Sequence, residues 1–290
     1  MRLAAKWRTD WRWEVDLGPE SAQFYPIGGE RVDVVRMGRG RPLVMLPGLA
    51  GGWKLVGPLA RRLSRHFEVY VCGLRGDSDP GTGLEGGPGV PWDLSEYAHD
   101  LRDLLDRLDL GAPAILGVSF GGAIALQYAI EYPRGLESLM VYGADSRFQT
   151  SIGSKIARRV LERYHLPTDS PFVNQFLNLL YGKKPDPGPV VDFVTRRIWE
   201  TGQGVMARRL AQLESFDISE QLWRIDVPTL VQAGERDVIV PAARQKVLAE
   251  SIPGARFRPV AEAGHIGFLT HQNEIVRSVR RHLAHSGAVV

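Results

Sequence analysis

The sequence predicts an α/β fold whose sheet is mainly parallel. Short apolar runs at residues 42–46, 67–71, 112–118 and 136–142 have the length and character of buried strands. Segments with helical spacing separate them, at residues 55–63, 94–108 and 122–131. That rhythm marks βα units, and parallel strands joined this way need helices on both faces of the sheet.

The elements follow in order. Residues 11–16 and 31–36 alternate apolar and polar side chains and read as half-exposed strands, joined by a turn-rich link through Pro26, Gly28 and Gly29. Residues 42–46 form a buried strand stopped by Pro47-Gly48, and residues 67–71 form another. The helix over 94–108 is amphipathic, with Ala98, Leu101, Leu104, Leu105 and Leu108 on one side. Residues 112–118 run into a turn at Ser119, and 136–142 form the next strand. From 145 to 224 the strand pattern lapses. Helical segments near 154–164, 172–180, 190–200 and 205–213 take over, broken by Pro167, Pro171, Pro185, Pro187 and Pro189. A strand returns at 227–233, followed by a helix at 242–250, a strand at 255–260 and a last helix at 273–283. The expected organisation is a core of residues 1–144 and 225–290, interrupted by a helical subdomain at 145–224. An insertion there sits over the C-terminal edge of the strands, where open α/β sheets bind ligands.

Composition narrows the function classes. The chain has 290 residues, 44% hydrophobic and 24% charged, with a formal net charge of only +3. These values describe an ordinary globular surface, without the concentrated basic stripe a nucleic-acid partner requires. Arg158, Arg159, Arg163, Arg196, Arg197, Arg208 and Arg209 enrich the insertion, and are read as a solvated helix face balanced by Glu162, Asp192, Glu200 and Glu214. The sharper alternative is a face that recognises a carboxylate or phosphate. Cys72 is the only cysteine, so no intrachain disulfide can form; it is expected as a buried strand-end thiol. No signal-peptide core or membrane-length apolar window is seen, and a cytoplasmic location is expected.

The chemistry centres on Gly117-Val118-Ser119-Phe120-Gly121, where a strand gives way to a helix. A serine between glycines at such a junction carries strained backbone angles that lift its hydroxyl clear of the sheet. Serine is a poor nucleophile unless a base takes its proton and donors hold the oxyanion. Among the histidines His265 is favoured as base, since Ala263-Gly264-His265 follows a strand. His66, His99, His165, His271, His282 and His285 fit less well. Asp237, in the turn after 227–233, is the favoured carboxylate; Glu235 is the weaker neighbour. Asp145 is a second candidate, read more readily as an entry turn into the insertion. The two oxyanion donors would be the backbone N–H groups of Phe120 and of Leu49, in the loop Pro47-Gly48-Leu49-Ala50-Gly51-Gly52. The order Ser119, Asp237, His265 is that of the α/β-hydrolases. No metal-ligand spacing is visible.

Taken together, Leu46-Pro-Gly-Leu-Ala-Gly-Gly52, Leu74-Arg-Gly76, Gly117-Val-Ser-Phe-Gly-Gly122, Gly234-Glu-Arg-Asp237 with Pro241, and Gly264-His265 resemble the α/β-hydrolase superfamily. The likeness covers nearly everything after Arg31. It is to the cap-containing group of serine esterases, lactonases and carbon–carbon bond hydrolases. The resemblance implies an eight-stranded, mostly parallel sheet, a helical cap or lid at 145–224, and acyl transfer to Ser119 followed by hydrolysis, with no metal or organic cofactor. Serine at the elbow sets the chain apart from the epoxide hydrolases and haloalkane dehalogenases, which use aspartate there. The chain departs from many relatives at Pro47-Gly48, where they have His-Gly, at Gly73, where they have Asp, and in a shortened turn at 75–79.

The first functional expectation is a carboxylic-ester hydrolase for small to medium, largely apolar acyl substrates, with Phe172, Phe176 and Trp199 as candidate pocket residues, joined by Leu180 and Phe193. The alternatives are a carbon–carbon bond hydrolase of the meta-cleavage type, a lactonase, perhydrolase or thioesterase on the same site, and a non-catalytic ligand receptor on the same scaffold.

Overall fold

A computed structural model describes residues 22–77, 93–148, 152–164, 166–167, 171–183 and 188–286. The strand expected at 11–16 lies outside them. Eight strands form one sheet: β1 (Ala22–Ile27), β2 (Glu30–Met37), β3 (Pro42–Leu46), β4 (Glu68–Cys72), β5 (Ala114–Val118), β6 (Ser138–Tyr142), β7 (Thr229–Gly234) and β8 (Arg256–Val260). Their order is β1-β2-β4-β3-β5-β6-β7-β8. β1 and β2 pair antiparallel, β2 meets β4 antiparallel, and every pairing from there to β8 is parallel.

Among the described residues ten α-helices accompany the strands: α1 (Gly52–Leu63), α2 (Leu94–Arg107), α3 (Phe120–Glu131), α4 (Ile152–Arg163), α5 (Pro171–Leu180), α6 (Pro189–Trp199), α7 (Gln203–Ser215), α8 (Ala242–Ser251), α9 (Gly267–Thr270) and α10 (Gln272–Ser286). Alternation along the strands divides the core in two. Val44, Ile115, Leu139 and Val141 face α2, α3 and α8, whereas Leu43, Met45, Leu116 and Met140 face α1 and α10. Both faces are covered, which is why the central strands read as unbroken apolar runs. α2 starts where the Asp93 side chain accepts the Glu96 N–H at 2.9 Å, an N-cap bond.

The first hairpin differs from expectation. The stretch read as a link is strand β1, and Pro26 lies inside it, paired with Arg31. An edge strand tolerates proline because one side of its backbone makes no ladder bonds. Gly28 and Gly29, with φ of 56° and 81°, make the two-residue turn. A Gly-Gly pair between alternating runs was the available signal.

Helices α4 to α7 and a 3-10 turn at Ser219–Arg224 occupy the connection from β6 to β7. The two ends of that connection meet: Arg147 bridges Asp217, and the Ile218 N–H donates to the Ser146 carbonyl at 3.0 Å. Leu180, Phe193, Val194, Ile198 and Met206 join the core cluster that holds α1.

Candidate active site

Ser119 stands between the end of β5 and the start of α3, with φ 52° and ψ −114°. A non-glycine residue in such a region stores about 1–3 kcal/mol of strain, so its surroundings must hold it. They do. The Ser119 N–H donates to the Tyr142 carbonyl at 2.8 Å, and the N–H groups of Gly122 and Ala123 donate to the Ser119 carbonyl. The flanking glycines are sterically required. A methyl group on Gly117 would run into the Gly121 carbonyl, and one on Gly121 into the carbonyls of Leu46 and Pro47. The turn is thus pressed directly against the end of β3.

The loops after β7 and β8 bring the other two groups. His265 Nε2 lies 2.9 Å from Ser119 Oγ, and His265 Nδ1 lies 2.8 Å from Asp237 Oδ2. A carboxylate only accepts, so Nδ1–H is the donor and Nε2 is left to accept from the serine hydroxyl. The other Asp237 oxygen, Oδ1, accepts the N–H groups of Ile239 and Val240, each at 2.9 Å. The carboxylate is therefore both buried and fully engaged. His265 is buried as well, and its loop is tied from two sides: Tyr142 donates its hydroxyl to the Gly264 carbonyl at 2.7 Å, and the Ile266 N–H donates to Leu180 at the end of α5 at 3.1 Å. A buried, hydrogen-bonded Ser–His–carboxylate chain can pass a proton from a nucleophile to a base.

The other candidates lie elsewhere. Glu235 is exposed. Asp145 is buried against Arg244 at 2.6 Å, at the base of the β6–β7 connection. His66 and His285 are exposed, and His99 faces solvent beside Glu131. His271 pairs with Thr270, and His282 is buried against Ser138. His165 lies outside the described residues. Cys72 is buried, and burial pushes its thiol up to about 12, far from a usable thiolate. Among the described residues no group of three or more His, Cys, Asp and Glu side chains is placed to hold a metal ion.

Residues 41–272 match the family described as alpha/beta hydrolase fold. The chain belongs to the α/β hydrolases. It is 32% identical over 256 residues to the polyketide synthase ThaQ of Burkholderia thailandensis, an alignment that takes in 84% of this chain but only 12% of that much longer protein. It is 29% identical to the pimeloyl-[acyl-carrier protein] methyl ester esterase of Chromobacterium violaceum, covering 86% of this chain and 97% of that one. Among solved structures, a hydrolase from Pseudomonas aeruginosa PA01 superimposes with a TM-score of 0.78 at 24% identity, covering 92% of this chain and 99% of that one.

In this hydrolase the Pro47–Gly52 loop lies beside the serine: a methyl group on Gly48 would sit 3.6 Å from Ser119 Cβ. Phe120 is fully buried, its ring edge-on to Tyr97 at 5.3 Å between centroids. Two residues missed in the sequence grip this loop from the β6–β7 connection. Thr201 Oγ1 accepts the Gly51 N–H at 2.9 Å. Arg209 donates from Nη1 to the Leu49 carbonyl at 2.8 Å and from Nη2 to the Arg75 carbonyl at 2.7 Å, and pairs with Asp77 at 3.0 Å. The reading of the insertion's arginines as a solvated face fails for Arg209, which is 0% exposed. It occupies the buried stripe of α7 with Val205, Met206 and Leu213, at helical spacing, and that spacing was the available signal. The solvated reading fits Arg159 and Arg163, which are exposed, while Arg158 is half-buried and pairs with Glu162 and Glu214.

Of the expected pocket residues, Trp199 is half-buried and donates its indole N–H to the Leu166 carbonyl at 3.3 Å, and Phe193 is buried. Phe172 and Phe176 lie on α5, but their side chains are outside the described residues. Gly73, the departure at the end of β4, has a steric reason: a methyl group there would sit 3.0 Å from the Asp33 carbonyl.

Proposed function

We propose that this α/β hydrolase cleaves carboxylic esters of small to medium, largely apolar acyl groups through an acyl-enzyme on Ser119. The observation that carries the reading is the unbroken hydrogen-bond chain from Ser119 through His265 to Asp237, with the serine raised on a strained turn at the start of α3. Esterase-named relatives, such as that of Chromobacterium violaceum, support it.

The chemistry follows from the geometry. As Ser119 Oγ attacks the ester carbonyl, its proton passes to His265 Nε2, and Asp237 stabilises the imidazolium through Nδ1–H. The N–H groups of Phe120 and Leu49 receive the oxyanion, with the positive end of α3 behind Phe120. His265 then protonates the departing alkoxide, and the C–O bond breaks to leave acyl-Ser119. Water next gives its proton to His265 and attacks the acyl carbon. The serine leaves protonated, and the acid is released.

In this proposal residues 145–224 act as a cap over the strand ends, with Trp199 facing the acyl group. The buried lone thiol of Cys72 is consistent with a cytosolic setting.

A panel of p-nitrophenyl esters of increasing acyl length tests the reading. Hydrolysis that favours short to medium chains and is lost in Ser119→Ala is expected. The panel should also carry dienoate ketones, since cleavage of those in preference to every ester would reassign the site to carbon–carbon bonds.

A further inference from the structure

Thr201 and Arg209 touch the oxyanion loop from a part of the chain more than 140 residues away in sequence. Their contacts are specific in kind. Thr201 takes the Gly51 N–H and Arg209 takes the Leu49 carbonyl, so the backbone on either side of Ala50 is held by one acceptor and one donor. The same guanidinium lies 5.7 Å over the Phe120 ring, so Arg209 contacts both residues that carry the proposed oxyanion donors. Asp77 anchors it from the far side and also accepts the Leu74 N–H at 2.9 Å, which ties the Arg75 turn into the same unit. The loop needs such support. It has a proline at position 47, which offers no N–H, and consecutive glycines at 51 and 52 with φ of 82° and 48°, which bring no side chain to hold the loop.

We infer that Thr201 and Arg209 are positioning residues for the oxyanion loop, so that the α4–α7 segment sets the rate of turnover as well as access to the site. The inference rests on the esterase reading above. Donors that stabilise a developing oxyanion act only when pre-aimed, and a small misplacement is expensive in rate while leaving substrate binding nearly intact.

The experiment uses the full chain with Thr201→Val, Thr201→Ser and Arg209→Lys. Two quantities are read: kcat and KM on p-nitrophenyl butyrate, and amide hydrogen exchange of residues 48–52 by mass spectrometry. Thr201→Val should lower kcat by about tenfold or more, with KM within about threefold, and should speed exchange at 48–52. Thr201→Ser, which keeps the acceptor, should restore both. Arg209→Lys, which keeps the charge for Asp77 but cannot span both carbonyls, should behave like Thr201→Val; if it does not fold, the threonine pair decides. Folded variants with lowered thermal midpoints but unchanged kcat overturn the inference, because the contacts are then only structural. A wild-type chain that hydrolyses no ester contradicts the functional reading and removes the inference with it. An active wild type with unaffected variants contradicts the inference alone.

Discussion

Gly143 forms the backbone floor under the His265 ring: a methyl group on its Cα would lie 3.1 Å from Cε1 and 3.2 Å from Nδ1 of the imidazole. Its φ of 67° is a second reason for glycine there. Gly143→Ala should therefore push the ring off the line between Ser119 and Asp237. The expected outcome is a fall in kcat of about tenfold or more with little change in KM, since the group displaced acts on the reacting bond and not on substrate affinity. Steady-state kinetics on a short p-nitrophenyl ester check it. Unaltered kcat in a folded variant would mean the imidazole does not act from this position.

Asp237 and Glu235 give a sharper contrast. Asp237→Asn can still accept from Ile239 and Val240, so the loop should hold its shape, but it removes the charge that fixes the His265 tautomer. A loss of roughly 10³- to 10⁴-fold in kcat is expected, on the scale seen when such a carboxylate is amidated in serine proteases. Glu235→Gln, on an exposed side chain two residues away, should stay within about twofold of wild type. Equal effects of the two substitutions would remove Asp237 from the site.

Gly121 tests packing instead of chemistry. A Cβ there meets the carbonyl oxygens of Leu46 and Pro47, which are backbone and cannot swing aside. Gly121→Ala should cost about 3 kcal/mol through overpacking, and lower the thermal midpoint by roughly 6–12 °C. A calorimetric scan of the purified variant reads this directly.

His282 makes stability depend on pH. Burial pushes His282 down from 6.5 to about 4; the Pro228 carbonyl pulls the other way, and the nearby cations Arg256, His285 and Arg41 add smaller pushes downward. The unfolded chain then binds a proton between those two values that the native chain refuses. The stability is whole above pH 6.5 and is lost progressively as pH falls toward 4. At pH 5 the loss from this one group is about 2 kcal/mol. Urea unfolding at pH 7.5 and pH 5 should show that difference in the wild type and a smaller one in His282→Gln. An identical difference in both proteins would assign it to other groups.

The parallel core was legible because its central strands, β3 to β6, are buried on both faces and read as continuous apolar runs. Ser119, Asp237 and His265 were legible for a related reason: each lies in the turn that follows a strand, and strand ends on one edge of a parallel sheet converge in space. β1 was obscured by Pro26, which demotes a strand unless the edge position is known. Arg209 was obscured by its own charge. On α7 it shares the stripe of Val205, Met206 and Leu213, but the partners that make its burial tolerable are carbonyls at Leu49 and Arg75 and the carboxylate of Asp77, and no periodicity reports contacts so distant in sequence. The helices between β6 and β7 were visible as elements, while their grip on the Pro47–Gly52 loop depends on tertiary placement alone.

Mass analysis after reaction with a fluorophosphonate shows whether Ser119 is the nucleophile. One adduct per chain is expected, on the peptide that carries Ser119, with ester hydrolysis lost in proportion to labelling and no adduct on Ser119→Ala. A wild-type chain that hydrolyses esters yet is labelled at another residue, or a Ser119→Ala chain that keeps its activity, would contradict it.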